Sequence, residues 1–355
     1  MKILYLMKLD WYWIKQRPQY IAENLSKDNN VYVLYKYSYR RKNLQKNKTN
    51  SNIKLIPIFT IPNFLNKINV LKKASNFIIK SKIRKAVKKI KPDIIYFSSI
   101  FPVDYIPNNY KEKILYDCMD DYAVLETQPI VKEEAQLISR ANIVLVTSEH
   151  LKKTIIDRYG NEITQKLFLV RNGFNALKVN NIEDNFHKAK PKYTISYIGT
   201  VSRWFDFDVL LASLKRYPKL KYKIIGPVDS NIDLPKNNRI QFLGTVENDK
   251  LYKVIKDDVA LVMPFKLNKI VESVDPVKLY EYIYFNKNII TIKYQEIDRF
   301  KNYVYFYNNV EEYTKQVGEV LKNKKVKYNS IEREKFLQNN SWAKRAEKIE
   351  KIISQ

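Results

Sequence analysis

The sequence predicts an α/β protein of two domains, each built around a parallel sheet. From Lys2 to Asn172, short apolar runs alternate with longer amphipathic ones, which is the pattern of strands joined by helices. The same alternation restarts at Tyr193, after a polar stretch from Lys178 to Lys192 that has no apolar period. A chain of 355 residues also exceeds the size at which one hydrophobic core keeps growing. We therefore expect domains at residues 1–172 and 173–339.

In the first domain, strands are predicted where short apolar runs are bounded by polar or turn residues. The first run, Ile3–Met7, ends at Lys8 and Asp10 without the cleavage site of a secretory leader, so we interpret it as a buried strand. Helices are predicted from about Pro18 to Leu25 and from Lys67 to Lys91. The remaining strands are Val31–Tyr35, Ile53–Phe59, Pro92–Phe97, Lys113–Tyr116, Asn142–Thr147 and Leu167–Val170.

The composition is that of a folded protein whose single cysteine limits its chemistry. Apolar residues make up 45% of the chain and charged residues 28%. Cys118 alone forms neither a disulfide framework nor a zinc cluster, and it favours a reducing, cytoplasmic setting. No apolar run reaches the roughly 18 residues of a membrane span, so the chain is not expected to cross a bilayer.

The net charge of +27 attracts either nucleic acid or an anionic membrane. A third interpretation needs no partner, because lysine far outnumbers arginine and is abundant together with asparagine, isoleucine and tyrosine, as in proteins from AT-rich coding sequence. No nucleic-acid-binding module is recognisable, so nucleic acid is not an expected partner.

The predicted helix from Lys67 to Lys91 is strongly basic. Its basic segment, Lys72–Lys89, is either a solvated helix face or a patch for anionic lipid at the inner face of the cell membrane. The expected apolar stripe comprises Val70, Leu71, Phe77, Ile78, Ile83, Val87 and Ile90.

Aromatic and charged side chains crowd the loop between the first strand and the first helix. Two tryptophans in a loop either plug the sheet edge or form a rim that holds a sugar ring and an anionic group. No glycine-rich phosphate loop is present here, which weakens a dinucleotide-binding interpretation. The residues of this group are Asp10, Trp11, Trp13, Arg17 and Gln19.

Three carboxylates, Asp117, Asp120 and Asp121, follow the strand Lys113–Tyr116. They either cap turns and helices or act at a cleft, where a crowded carboxylate gains a raised proton affinity.

The second domain begins with a strand at Tyr193–Ile198 and a turn that suits an anion. The turn contains Gly199, Thr200, Ser202 and Arg203 before a helix at about Asp206–Arg216. Glycine at such a turn is also common for backbone reasons alone. Further strands are predicted at Tyr222–Gly226, Ile240–Leu243, Val259–Met263 and Asn288–Ile292, and helices at Glu247–Asp257, Val310–Lys322 and Ile331–Ser354.

The stretch Ser273–Tyr284, S-V-D-P-V-K-L-Y-E-Y-I-Y, predicts a helix that starts abruptly at the carboxyl end of a strand. Asp275 is expected to cap it and Pro276 to take its first position. Lys278 and Glu281 then lie near one face, which suits a diphosphate followed by a ribose.

Several strings in this order resemble the GT-B glycosyltransferases, and among them the retaining, family-four-like enzymes of bacterial capsule and teichuronic-acid assembly. The strings are D-W-x-W-x-x-R-P-Q, Y-I-G and P-V-K-L-Y-E-Y, with V-R-N-G-F at the hinge after the first domain. The resemblance implies two Rossmann-like domains facing across a cleft, with the last helix, residues 340–355, crossing back to the first. It also implies a nucleotide-sugar donor in the second domain and an acceptor in the first.

The resemblance assigns site residues as well. Glu281 falls on the family's ribose-binding carboxylate, whereas Ser273 stands where the family has a second carboxylate. Arg203 and Lys278 are expected to clamp the diphosphate, with Asp120, and Asp121 behind it, at the position of a family histidine. The donor site implied in this way comprises Gly199, Thr200, Ser202, Arg203, Ser273, Val274, Lys278, Leu279 and Glu281.

These observations predict transfer of a sugar from a nucleotide diphosphate-sugar, foremost a UDP-sugar, to a carbohydrate acceptor on a lipid carrier in surface polysaccharide synthesis. Retention of configuration is implied by the resemblance, and no metal or other cofactor is expected. Two alternatives stay open: a nucleotide-sugar epimerase of the same architecture, and a basic protein that binds nucleic acid or an anionic polymer.

Overall fold

The computed structural model describes residues 1–13, 15–37, 52–62, 68–125, 128–175, 192–323 and 325–355. The chain divides into two compact units. The first comprises Met1–Asn172 together with Trp342–Gln355, and the second comprises Gly173–Ser341. The polar stretch predicted between the domains lies outside the described residues apart from Lys192.

The first unit is built on a parallel sheet. Its described strands run in the order third, second, first, fourth, fifth, sixth and seventh, so the order reverses between the first and the fourth. Helices in the same part of the chain are α1 (Arg17–Leu25), α2 (Asn69–Ile90), α3 (Tyr122–Leu125), α4 (Gln128–Arg140) and α5 (Glu149–Tyr159). The strands are β1 (Lys2–Met7), β2 (Asn30–Lys36), β3 (Ile53–Ile58), β4 (Ile94–Phe97), β5 (Lys113–Cys118), β6 (Ile143–Val146) and β7 (Leu167–Leu169).

The second unit repeats this arrangement. Its parallel strands are β8 (Lys192–Ile198), β9 (Lys221–Ile225), β10 (Ile240–Gly244), β11 (Asp258–Met263), β12 (Asn288–Ile292) and β13 (Tyr305–Tyr307). They lie in the order β10-β9-β8-β11-β12-β13, so the order reverses between β8 and β11. The helices are α6 (Phe207–Arg216), α7 (Asn248–Ile255), α8 (Lys269–Ser273), α9 (Val277–Tyr284), α10 (Val310–Lys322) and α11 (Ser330–Asn339).

The last helix, α12 (Trp342–Ser354), belongs to the first unit. Its buried face packs on α1, where the Trp342 ring stacks on Tyr20 with 5.3 Å between ring centroids. This packing explains the amphipathic spacing of Ala346, Ile349 and Ile353, which join the core on one face of the first sheet.

The predicted fold class is confirmed, since both units are parallel sheets connected by helices. The apolar runs identified the strands because parallel strands are covered on both faces, as in β11, which is buried along its whole length. Strand β13 was not predicted. No described helix has the length and apolar character needed to span a membrane.

The apolar stripe predicted on the basic helix α2 is partly wrong. Ile83 and Val87 are buried against the sheet, but Val70 and Phe77 are 73% and 72% exposed. Ser75 in the second turn is buried as well, so Val70 and Phe77 are exposed because they lie on the opposite side of the helix from the buried residues. The outward face therefore carries apolar side chains among lysines.

Candidate functional site

The candidate donor site lies at the carboxyl ends of β8 and β11, where the strand order of the second unit reverses. Open α/β sheets bind ligands at such switch points. The loops that follow the two strands are joined, since Asp206 N donates to Pro264 O at 2.8 Å and Lys266 N donates to Trp204 O at 2.7 Å. The two loops therefore form one continuous edge to the site.

Two glycines meet at the base of this edge. Gly199 directly follows β8 and Gly226 directly follows β9, and a side chain on Gly226 would place its Cβ 2.1 Å from the Gly199 carbonyl oxygen. Gly226 also has φ of +141°, a conformation that other residues rarely adopt. The backbone of one strand end can approach the other only because position 226 lacks a side chain. Gly199 was among the predicted donor residues, whereas Gly226 was predicted only as the end of a strand.

Tyr282 fixes helix α9 at the switch point. Its buried hydroxyl accepts from Ile198 N at 2.9 Å and lies within 3.3 Å of the carbonyl oxygens of Ile198 and Val262. One side chain of α9 thus contacts the ends of both β8 and β11. This residue was also missed, although its position three residues after the buried Leu279 places it on the inward face.

The predicted cap of α9 is wrong. The N-cap position is Pro276 rather than Asp275, the helix begins at Val277, and the proline side chain makes no capping hydrogen bond. The buried Asp275 carboxylate accepts from the Arg299 guanidinium, a charged donor that binds a carboxylate more strongly than a neutral amide does.

Lys278 and Glu281 lie on one face of α9, as the spacing predicts. Lys278 Nζ is 2.8 Å from Glu281 Oε2, and both side chains are partly exposed. An ammonium and a carboxylate are thus held side by side within the first five residues of α9, with the ammonium nearer the positive helix end. A diphosphate and a ribose require these two kinds of group.

The remaining residues of the predicted donor set differ in the solvent exposure of their side chains. Thr200 and Arg203 are exposed on the turn after β8, whereas Ser202 in the same turn is buried. Ser273 is buried and donates its hydroxyl to Ile270 O at 2.8 Å inside α8. Val274 is half-buried between α8 and α9, and Leu279 belongs to the core.

In the first unit, Arg17 does not stand on a rim for an anionic ligand. It is buried in a bidentate pair with Asp117, with 2.9 Å from Nε to Oδ2 and 2.8 Å from Nη2 to Oδ1. Tyr96 donates its hydroxyl to the same carboxylate at 2.7 Å, and Arg17 Nη1 donates to Arg171 O at 3.1 Å. Asp117 also lies within β5 rather than after it. Both residues are therefore structural.

The other residues of the first loop are mostly structural too. Trp11 is buried in the core, which confirms the interpretation of a hydrophobic plug for this side chain, while Trp13 is 44% exposed. Asp10 is buried and accepts from Tyr12 N at 3.0 Å. Gln19 is buried and pairs with Gln16 in the capping box of α1. Of these four, only Trp13 presents a large surface to a ligand.

Asp120 and Asp121 differ in environment. Asp121 is buried and accepts from Arg158 Nη2 at 2.8 Å, so it anchors α5. Asp120 is half-buried, and this burial raises the pKa of its carboxyl, while the nearby Arg17 guanidinium opposes the shift. The raised proton affinity that the sequence predicted from crowding thus comes from burial, since Asp117 and Asp121 are held by arginines.

Three solved structures of other proteins share this fold over the whole chain. Sucrose-phosphate synthase from Thermosynechococcus elongatus superposes with a TM-score of 0.74 at 11% identity, covering 100% of this chain and 98% of the other. HepE from Anabaena, in complex with UDP and glucose, gives 0.73 at 12% identity, covering 100% of both chains. Staphylococcus aureus TarM, as a mutant in complex with UDP and sugar ligands, gives 0.71 at 11% identity and full coverage of both.

These likenesses show that the chain has the GT-B fold of glycosyltransferases. No protein-family model matches the sequence, and no curated protein sequence matches it. The assignment of the fold therefore comes from structural similarity alone. A shared fold does not specify the chemistry, which depends on the residues of the site.

Proposed function

We propose that the protein is a glycosyltransferase that moves a sugar from a UDP-sugar to a carbohydrate acceptor. The observation that carries the proposal is the set of groups on α9, namely the positive start of the helix, the Lys278 ammonium and the Glu281 carboxylate, at the switch point of a GT-B fold. HepE and TarM, which share the fold, hold UDP in their solved complexes.

In the proposed reaction, the donor's anomeric bond breaks and its diphosphate leaves with the bonding electrons. The negative charge that develops is stabilised by Lys278, by Arg203 and by the first amides of α9, without a requirement for a metal. Glu281 accepts hydrogen bonds from the ribose. The acceptor hydroxyl oxygen bonds to the anomeric carbon with retention of configuration, the leaving donor phosphate takes the acceptor proton, and Asp120 orients the acceptor.

A thermal-shift screen with nucleotides and nucleotide sugars tests this proposal directly. We expect UDP and one UDP-sugar to raise the melting temperature, since a ligand at 100 times its dissociation constant adds about 2.7 kcal/mol to the stability of the folded state. The protein should also hydrolyse the same UDP-sugar slowly and release UDP, even when a metal chelator is present. A protein that is stabilised by none of the nucleotide diphosphates, or that binds DNA in a salt-sensitive manner instead, would refute the proposal.

We further propose that the enzyme acts in capsule or related surface polysaccharide synthesis, on a lipid-linked acceptor at the inner face of the cell membrane. The support is the outward face of α2, where the exposed Val70 and Phe77 lie among the basic residues of the segment Lys72–Lys89. The helix contains no acidic residue. Exposed apolar groups set among lysines complement an anionic bilayer, whose surface attracts each nearby lysine by about 1 kcal/mol.

Vesicle co-sedimentation tests the membrane contact. We expect the protein to bind phosphatidylglycerol vesicles and to bind phosphatidylcholine vesicles only weakly. Binding to phosphatidylglycerol vesicles should fall at high salt. Phe77→Ser should weaken it about tenfold or more, because burying a phenylalanine side chain is worth about 1.5–3 kcal/mol. Ile331→Ser is the matched control, since Ile331 is 76% exposed on α11 in the second unit. Equal losses in both variants, or equal binding to both lipids, would contradict the assignment.

A further inference from the structure

The loop between α8 and α9 is held by side chains from the segment that follows β12. This segment begins at Tyr294 and continues as the 3₁₀ helix Gln295–Phe300. Tyr294 donates its hydroxyl to Val274 O at 3.2 Å, and Arg299 pairs with the Asp275 carboxylate. Two consecutive residues of the loop, just before α9, are therefore fixed by one neighbouring segment.

Two of these side chains present almost no surface to a ligand. Asp275 is 1% exposed and Tyr294 is 7% exposed. The Arg299 guanidinium lies over two rings, with 4.1 Å from Cζ to the centroid of Phe300 and 5.1 Å to that of Tyr280. Asp275 and Tyr294 can therefore affect a reaction only through the loop backbone that they hold.

Stability alone is a weak explanation for the pair of Asp275 and Arg299. Removing two charges from water opposes folding and offsets much of their attraction. In addition, Arg299 Nε is buried without an acceptor among the described residues, which also costs stability. Buried ion pairs in some proteins instead select one conformation of the chain. Selection of one loop conformation is the role that fits this pair.

The loop determines where α9 starts. The helix begins at Val277, directly after the loop, and Lys278 is its second residue. Tyr282 holds the helix further along, where its hydroxyl accepts from Ile198 N at 2.9 Å. The loop contacts supply a second fixed point at the positive end of the helix. A misplacement of about 1 Å can lower a rate about 100-fold, so this second point bears directly on the proposed reaction.

We propose that Asp275, Arg299 and Tyr294 are positioning residues for the transfer reaction. They hold the start of α9, and with it Lys278, where the leaving diphosphate is stabilised. The inference rests on the proposed function, because it names residues that act through the donor site of that function. Positioning lowers turnover by the folded enzyme, whereas a purely structural role lowers stability and leaves that turnover unchanged.

Asp275→Asn, compared with Asp258→Asn, separates these two roles. Asp258 is also buried, and it pairs with Lys223 Nζ at 2.8 Å, but it lies at the amino end of β11, at the opposite edge of the sheet. Both variants should lower the melting temperature. Turnover is measured below the melting range, with the UDP-sugar that stabilises the wild type most. We expect kcat to fall about tenfold or more in Asp275→Asn and to stay within about twofold in Asp258→Asn.

Arg299 variants provide a test by conservative replacement. One guanidinium nitrogen, Nη2, donates to both the Asp275 carboxylate and the Tyr280 hydroxyl. A lysine ammonium can replace a donor of this kind, so Arg299→Lys should retain more of the turnover than Arg299→Met. Equal kcat in the two variants would show that the charge paired with Asp275 has no part in positioning.

Tyr294→Phe tests the loop contact even where the charge variants fail to fold, because it removes only a hydroxyl. Tyr222→Phe is the matched control, since the Tyr222 hydroxyl is buried in the same unit between those of Ser213 and Tyr313. Loss of one hydrogen bond to the loop should lower kcat about threefold or more in Tyr294→Phe. Tyr222→Phe should stay within about twofold of wild type.

The thermal shift by UDP keeps this inference separate from the proposed function. If UDP stabilises the wild type but Asp275→Asn and Tyr294→Phe lose no more turnover than their controls, only the positioning role is overturned. If Asp275→Asn does not fold, the comparison of Tyr294→Phe with Tyr222→Phe decides alone. A wild type that UDP does not stabilise would overturn the proposed function itself.

Discussion

Asp117→Asn is expected to lower the free energy of unfolding of the first unit by about 3–5 kcal/mol, the usual cost of removing one partner from a buried ion pair. The substitution preserves the shape of the side chain but leaves the Arg17 guanidinium buried without a negative partner. It also weakens the hydrogen bond from Tyr96, whose hydroxyl donates to the same carboxylate. Urea unfolding followed by tryptophan fluorescence provides the measurement, since Trp11, Trp13 and Trp342 all lie in this unit.

Three further variants make this prediction specific to the ion pair. Arg17→Met should destabilise the unit to a similar extent, and the double variant Arg17→Met with Asp117→Leu should be less destabilised than the sum of the single variants. Lys344→Ala removes an exposed ion pair with Glu347 and should leave the urea midpoint unchanged. A loss below about 1 kcal/mol for Asp117→Asn would mean that Arg17 is available to a ligand after all.

The Arg17 example shows which part of the structure a sequence pattern can predict. Arg17 and Asp117 are 100 residues apart, so no local spacing links them. Arg17 was predicted on the rim of the first loop, and Asp117 was left between a capping role and a role at a cleft. Asp275 was misplaced for the same reason, because its partner Arg299 comes from a separate turn. Lys278 and Glu281 were placed on one face correctly, since helical spacing alone brings them together.

The strands were predictable for a different reason, which also explains the missed contacts of the donor site. A strand buried on both faces needs only apolar residues. An apolar run in the sequence therefore predicts the strand without any knowledge of which strands lie beside it. The contact of Gly226 with Gly199 and the contact of Tyr282 with Ile198 depend on which strands are neighbours. The strand order is a property of the assembled sheet, and these two residues gain their roles only within it.

Lys278→Ala is expected to slow sugar transfer by roughly one to two orders of magnitude, as loss of a charge-assisted contact of about 1.5–3 kcal/mol to the leaving diphosphate implies. Turnover with the UDP-sugar identified in the screen is the measurement, and affinity for UDP is measured in parallel. Lys315→Ala is the matched control, since Lys315 is exposed on α10 of the same unit. A turnover within about twofold of wild type would exclude Lys278 from the stabilisation of the diphosphate.

The ion pair between Lys278 and Glu281 offers a second explanation for such a loss, in which the lysine only positions the carboxylate. Glu281→Ala and the double variant distinguish the two. If Lys278 acts only through Glu281, all three variants should show the same loss of UDP affinity, because removing a residue and its positioning partner is not additive. If Lys278 stabilises the leaving group, its variant should lower kcat beyond any change in affinity, and the double variant should lose both turnover and ribose binding. The second outcome is the one we expect, because Lys278 is nearer than Glu281 to the positive end of α9, where the diphosphate would bind.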